Sequence, residues 1–395
     1  MKLTLNQQLT QFSHVLQTKL FPLLEESIGE MDATARQLVA TLEMIPLQRF
    51  IPASRGWMGR PSKDRYAIAC AFVAKALYGF TCTRQLLERL SNDKQLRSIC
   101  GWNSARLPHE ATFSRAFEEF ARMELPQLVH ETLIRETQKD RLIGHIARDS
   151  TAIEARERFP ETKAQAQEES LRKAPRKKKG KKGPRGPAKR FKGGQKPIQP
   201  RTDSRLHRQR SMSLPAMLAE LPKGCGIGVK TSSKGQQQYW RGYKLHLDVA
   251  DGELPISAVL TSASLHDSQV AIPLAAMSSQ RVTYCYELMD SAYDAQEILE
   301  HSRGMGHVPI IDPANRVRKS KNVIVPGKPQ RQMSWAEKDR YRERTTVERV
   351  NARMKDEFGA RFVRVRGAAK VMAHLMFGVL ALTVDRLLGL QPKPT

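Results

Sequence analysis

Between Tyr239 and Leu260 the chain carries its clearest structural instruction, a β-hairpin. Tyr239-Trp240-Arg241-Gly242-Tyr243-Lys244-Leu245-His246-Leu247-Asp248-Val249 alternates, Asp251-Gly252 is a tight-turn pair, and Leu254-Pro255-Ile256-Ser257-Ala258-Val259-Leu260 returns. The flanking segments supply the rest of a sheet. Leu142 to Asp149 is a mixed apolar run that closes on an acid, and Val282 to Met289 reads as a buried strand closing on Asp290. Helices are predicted from His266-Asp267-Ser268 through Val270, Leu274 and Met277, over Ala295–Arg303, and around 337–357, with a strand at His307–Ile311. Strands alternating with helices in this order predict an α/β fold, a mixed sheet with helices packed on it.

Residues 1 to about 137 read instead as helical. Ser62 is the expected cap of a helix through Tyr66, Cys70, Val73 and Leu77, Thr83 opens a second with Leu86, Leu87 and Leu90, and a third follows Pro108. Short helices with an Arg-bearing third element suit a helix-turn-helix that reads DNA, and equally a plain bundle used for packing or dimerisation.

The formal net charge is +26 and the pI near 10.1. That balance favours a polyanionic partner. Arg172 to Arg210 holds seventeen Lys/Arg against one acid, Asp203, and so supplies +16 of the total. Within it, Lys177, Lys178, Lys179, Lys181, Lys182, Arg185, Lys189 and Arg190 are the candidate phosphate contacts. With almost no large apolar residues, this insertion (about 160–225) is expected to be disordered or to order only on a polyanion. A membrane role is not expected. The first residues lack a continuous apolar run, and Leu375 to Val384 is about half the ~20 residues needed to span a bilayer. Five cysteines with no CxxC pair indicate neither a disulfide framework nor a zinc site, and point to a reduced cytosolic compartment.

The chemistry is concentrated on one helical face. At about 100° per residue, Tyr341, Arg344, Glu348 and Lys355 fall within about 60° of one another, beside an apolar stripe of Val347, Val350, Met354 and Phe358. If Asp149, Asp290 and Glu348 converge from their separate elements, they form an oxygen-rich site for Mg²⁺ or Mn²⁺, with room for two ions about 3.5–4 Å apart. Arg344 and Lys355 then serve to grip phosphate, and Tyr341 offers a hydroxyl or a ring. Each member has a plainer reading: a strand-end Asp is usually a turn residue, and Glu348 can pair with Arg344 or Arg349 on a charged face.

The spacing Tyr341-x2-Arg344-x3-Glu348-x6-Lys355 resembles the Y-R-E-K signature of DDE transposases from bacterial insertion sequences. Arg148-Asp149-Ser150-Thr151 is similar to their first-aspartate strand and Met289-Asp290-Ser291-Ala292-Tyr293-Asp294 to their second. Gly242-Tyr243-Lys244-Leu245-His246, with Thr261-x4-His266-Asp267, resembles the stretch between them, and Tyr78-Gly79-Phe80 and Thr112-Phe113-Ser114-Arg115 the preceding helical domain. The resemblance runs over roughly residues 58–385. It implies an RNase H-like catalytic fold at 138–365, a helical domain at 1–137 for DNA binding or multimerisation, and a C-terminal packing helix and tail at 366–395. It further implies Asp149, Asp290 and Glu348 as a metal-binding triad, cleavage at terminal inverted repeats, and strand transfer into target DNA by a homo-oligomer in the bacterial cytoplasm, associated with the nucleoid. The basic insertion lengthens the first interval to 141 residues (290 − 149), and the second, 58 residues (348 − 290), has no room for an added β-strand domain. The rival readings are a hydrolytic nuclease on the same fold and a non-catalytic basic DNA-binding protein.

Overall fold

The computed structural model describes residues 4–51, 64–104, 106–157, 204–231, 236–313 and 332–390. The first eight helices are α1 (Leu5–Val15), α2 (Phe21–Ile28), α3 (Ala33–Met44), α4 (Arg65–Leu77), α5 (Thr83–Asn92), α6 (Lys94–Ile99), α7 (Glu110–Arg122) and α8 (Leu125–Gln138). Strand β1 (Leu142–Glu154) follows, then α9 (Arg205–Gln209), α10 (Leu214–Glu220), β2 (Gly226–Thr231), β3 (Gln237–Ala250) and β4 (Leu254–Ser262). The remainder is α11 (Ala271–Ser279), β5 (Thr283–Met289), α12 (Gln296–Gly304), β6 (Val308–Ile311), α13 (Trp335–Tyr341), α14 (Thr345–Asp356) and α15 (Ala368–Gly389).

Among the described residues the strands form one mixed sheet in the order β2-β3-β1-β5-β6, with β4 also paired to β3. β1 is antiparallel to β3 and parallel to β5, and β5 is parallel to β6. This is the mixed α/β fold expected, with the mixed sheet flanked by helices that the resemblance implies. The hairpin turn spans Asp251, Gly252 and Glu253, with the last two in the left-handed region at φ 82 and 64. Asp251 accepts hydrogen bonds from the Gly144 and His145 backbone N–H at 2.9 and 3.0 Å, and Glu253 pairs with Arg349 and Arg386 at 2.6 and 3.0 Å. The turn therefore ties the start of β1 to α14 and α15, which helps hold Glu253 in its unfavourable backbone region.

The Leu375–Val384 stretch belongs to a 22-residue helix, α15, long and apolar enough to cross a membrane by length and composition. Here it is the core of the protein. It packs on β4, α8, α4, α7 and α3, and Leu375, Val379, Leu380, Ala381, Leu382 and Val384 are fully buried. Phe72, Phe113, Phe117, Phe120 and Phe377 form a ring cluster between α4, α7 and α15. One hydrophobic core thus runs from the N-terminal helices into the sheet.

Two expectations change, and a third falls outside the described residues. Ser62 lies outside the described residues, and α4 is capped by Asp64, whose Oδ1 accepts from the Tyr66 and Ala67 N–H at 2.8 and 3.3 Å. The end of the basic insertion is ordered: α9 and α10 bury Leu206, Met217 and Leu221 against the α11 and α12 side of the sheet. Leu206 lies inside the run counted for charge, and Met217 and Leu221 lie just after it. Lys177, Lys178, Lys179, Lys181, Lys182, Arg185, Lys189 and Arg190 lie outside the described residues.

Behind the sheet is a fully buried ion network. Arg148 donates to both carboxylate oxygens of Asp248, from Nε at 2.7 Å and Nη2 at 2.8 Å, and from Nη1 to Glu287 Oε2 at 3.3 Å. Ser278 donates to Asp248, and Tyr284 and Ser302 donate to Glu287. Burial alone would raise Glu287, but Arg148 and these donors hold its carboxyl down at about 2. Arg148→Ala strands two buried carboxylates and is expected to cost about 3–5 kcal/mol, read as a lower urea midpoint with unchanged m.

Two buried histidines set an acid limit. His130 Nε2 lies 3.2 Å from Pro255 O and His246 Nε2 lies 2.9 Å from Thr261 Oγ1, and burial lowers them to about 3 and about 4. The unfolded chain protonates such groups near 6.5 while the folded chain does not. Below pH 6.5 the unfolded state therefore binds more protons, and stability falls as pH drops. The expected loss is on the order of 2 kcal/mol per histidine by pH 4.5, measured by urea titration, with His130→Gln flattening the slope.

Candidate active site

Asp149 does not close its strand. β1 continues to Glu154, and Asp149 lies at the level where its parallel neighbour β5 ends. The register pairs Arg148 with Met289, so the next residue on each strand brings Asp149 beside Asp290. Asp290 leaves β5 at once and caps a 3₁₀ turn, Ser291–Tyr293, its Oδ1 accepting from the Ala292 N–H at 2.9 Å. Strand alternation separates the roles: Arg148 goes into the network on one face, and Asp149 faces α14 on the other.

On that side Asn351 donates from Nδ2 to Asp149 Oδ2 at 3.3 Å. Asn351 is buried, sits one turn beyond Glu348, and has a buried Oδ1 with no partner among the described residues. Val347, Val350, Met354 and Phe358 are all buried, as the apolar stripe predicts. They seat the helix on β1 and β3.

The long helix expected around 337–357 is broken. α13 ends at Tyr341, Arg342–Arg344 is a 3₁₀ turn, and α14 starts at Thr345, whose Oγ1 donates to Arg342 O at 2.9 Å. Tyr341 and Arg344 therefore leave the ideal wheel. Arg344 still pairs with Glu348 one turn on and lies over the Tyr341 ring at 5.7 Å. Tyr341 is half-buried against the core edge, and burial pushes its hydroxyl up to about 12. Lys355 stands apart from that group. Burial first, then Lys230 and Arg361, holds it below the ordinary lysine range.

Asp149, Asp290 and Asp267 form an acid-rich cluster, with Arg344 and Lys244 the cations beside it. Burial pushes Asp149 up to about 6; Asp290 and Asp267 add to this, while the Ser150 N–H and Arg344 oppose it. Asp290 is raised too, by burial first. Asp267, held by Lys244 Nζ at 2.8 Å, belongs to a turn that packs on Ser291–Tyr293. The fully buried Tyr293 hydroxyl has no hydrogen-bond partner among the described residues, and its ionised form is opposed by burial and then by Asp267, Asp149 and Asp290. Such a donor set, two adjacent carboxyls that resist shared negative charge, fits a hard divalent cation.

A transposase DDE domain model matches residues 201–384, and a transposase domain model matches residues 24–119. The chain belongs to the DDE transposases. No curated protein matches it. The DDE match spans Asp290 and Glu348 but begins after Asp149, whose place beside Asp290 rests on strand register alone. No three His, Cys, Asp or Glu groups close on a common metal point among the described residues, and Glu348 is held by Arg344. The transposase thus brings Asp149 and Asp290 together, sets Arg344 within their electrostatic reach, and leaves Glu348 one turn from Asn351.

Sequence reasoning missed Asn351 and named Tyr293 only as part of the second-aspartate motif. Asn351 had a signal, three residues after Glu348 on the sheet side of the helix; Tyr293 had only its place after the second aspartate. In Mn²⁺ calorimetry, Asn351→Ala is expected to weaken binding by about 10–100-fold, and Asp290→Asn to abolish it. Unchanged binding by both would remove this site.

Proposed function

We propose that this transposase is encoded by a bacterial insertion sequence, binds the element's terminal inverted repeats, and performs Mg²⁺- or Mn²⁺-dependent strand cleavage and strand transfer. Asp149, Asp290 and Glu348 are the catalytic carboxylates. The observation that carries this reading is the pairing of Arg148 with Met289, which sets Asp149 beside Asp290, near Arg344 and the helix of Glu348.

Asp149 and Asp290 would hold the cation, with Glu348 joining once Arg344 releases it. Two bound divalent ions would activate water or a 3′-hydroxyl and stabilise the leaving oxygen. Asn351 fixes the orientation of the Asp149 carboxylate through its amide. Arg344, freed from Glu348, would take a non-bridging phosphate oxygen with its guanidinium fork. Lys355 holds the flanking backbone, and the double-stranded partner comprises element ends and target. Oligomerisation on DNA is part of this reading.

A nuclease on the same fold would use the same carboxylates with water alone. Precut element ends, a supercoiled target and Mg²⁺ separate the two. Joined products are expected from the wild type and none from Asp149→Asn, Asp290→Asn or Glu348→Gln; end hydrolysis without joining would select the nuclease. DNA binding with no metal-dependent cleavage would select a non-catalytic binder.

A further inference from the structure

The outer part of the sheet is a two-stranded ribbon with no role in the carboxylate site. β2 pairs with the first half of β3, from Gly226–Gly242 to Thr231–Gln237, before β3 joins β1 and β4. Gly242 is the junction. Its φ is +151, and a Cβ there would lie 2.0 Å from Ile153 O, so only glycine lets the ribbon leave the sheet beside β1. Beyond it the side chains stop being buried. Val229 faces Tyr239 and Ile227 faces Arg241, and Ile227, Val229 and Tyr239 are 49, 49 and 65% exposed. Three large apolar side chains in neighbouring pairs on a ribbon in water indicate a partner.

Charge indicates which partner. No acid occurs from Leu221 to Leu247, a stretch that carries Lys230, Arg241 and three consecutive glutamines. Lys230 also lies close enough to Lys355 to depress its proton affinity, with Arg361 beside them, so the ribbon's positive charge runs on into the catalytic helix. Tyr239 and Arg241 share the strand alternation of Leu247, the residue paired with Asp149.

Resting on the transposase reading above, we propose that the ribbon of β2 and the outer half of β3 is a docking arm for the duplex DNA that enters the active site. It lies in the major groove, with Ile227, Val229 and Tyr239 against base edges and thymine methyls and Lys230 on the backbone. A two-stranded ribbon fits that groove, about 12 Å wide. At about 3.4 Å per residue, Tyr239 lies some 27 Å along β3 from the level of Asp149. At about 3.4 Å per base pair, the arm contacts DNA about 5–8 base pairs from the scissile phosphate.

The test uses the full-length protein and a labelled duplex carrying the element end. Three readouts are taken: binding against salt, hydroxyl-radical footprinting and light scattering. Ile227→Ser/Val229→Ser/Tyr239→Ala is expected to bind at least about tenfold more weakly and to lose protection 5–8 base pairs from the cut. Lys230→Gln should lower the salt slope by about one. All four positions are exposed, and unchanged thermal unfolding would show that the variants fold. Wild-type binding matched by the triple variant, footprint included, overturns the arm while leaving the transposase reading intact. A triple variant that loses self-association but keeps DNA affinity assigns the ribbon to a second copy of the chain and also overturns the proposal. No DNA binding by the wild type overturns both readings.

Discussion

The position of every candidate catalytic group traces back to the side chain of Arg148. Its guanidinium is fully buried, forks onto Asp248 of β3 and reaches Glu287 of β5, so one residue of the central strand grips both neighbours. A buried charge of this kind is intolerant of its partners' absence, and a one-residue slip in register would turn Arg148 to the wrong face. The same slip would turn Asp149 away from α14. The ion network therefore specifies the register that sets Asp149 beside Asp290, whatever its net contribution to stability.

Supports from both sides of the sheet reinforce that register. Ser278 of α11 and Ser302 of α12 donate to the network from behind. On the other side, α14 is seated by Val347, Val350 and Met354, and its Asn351 reaches the Asp149 carboxylate. Arg349, Glu253 and Arg386 join α14, the hairpin turn and α15. Because α15 is also the core of the N-terminal helices, the carboxylates are braced by packing that reaches α3 and α4.

Local patterns carried much of this architecture into the sequence. The hairpin, β5 and the apolar stripe of α14 each follow from short-range alternation or helical spacing, and each is present. What failed was non-local or masked by composition. β1 runs five residues past Asp149 because β3, some ninety residues later in the chain, pairs with it through Glu154. Nothing within 142–154 announces that partner. The 3₁₀ break at Arg342–Arg344 lies within a charged run that reads as continuous helix, and Leu206 was obscured by the arginines around it, with Met217 and Leu221 just past that run. The site was legible as residue types; the grip of Arg344 on Glu348 and the Asn351 contact needed coordinates.

The central proposal is that Asp149, Asp290 and Glu348 join in holding divalent metal, although Glu348 is paired with Arg344 in this structure. Fe²⁺ substituted for Mg²⁺, with ascorbate and peroxide, cuts the polypeptide close to the bound ion and so maps that convergence. The account predicts cuts near 149, 290 and 348 in the wild type, suppressed by excess Mg²⁺ and lost together in Asp290→Asn. Cuts near 149 and 290 with none near 348, or cutting that survives Asp290→Asn, would contradict it.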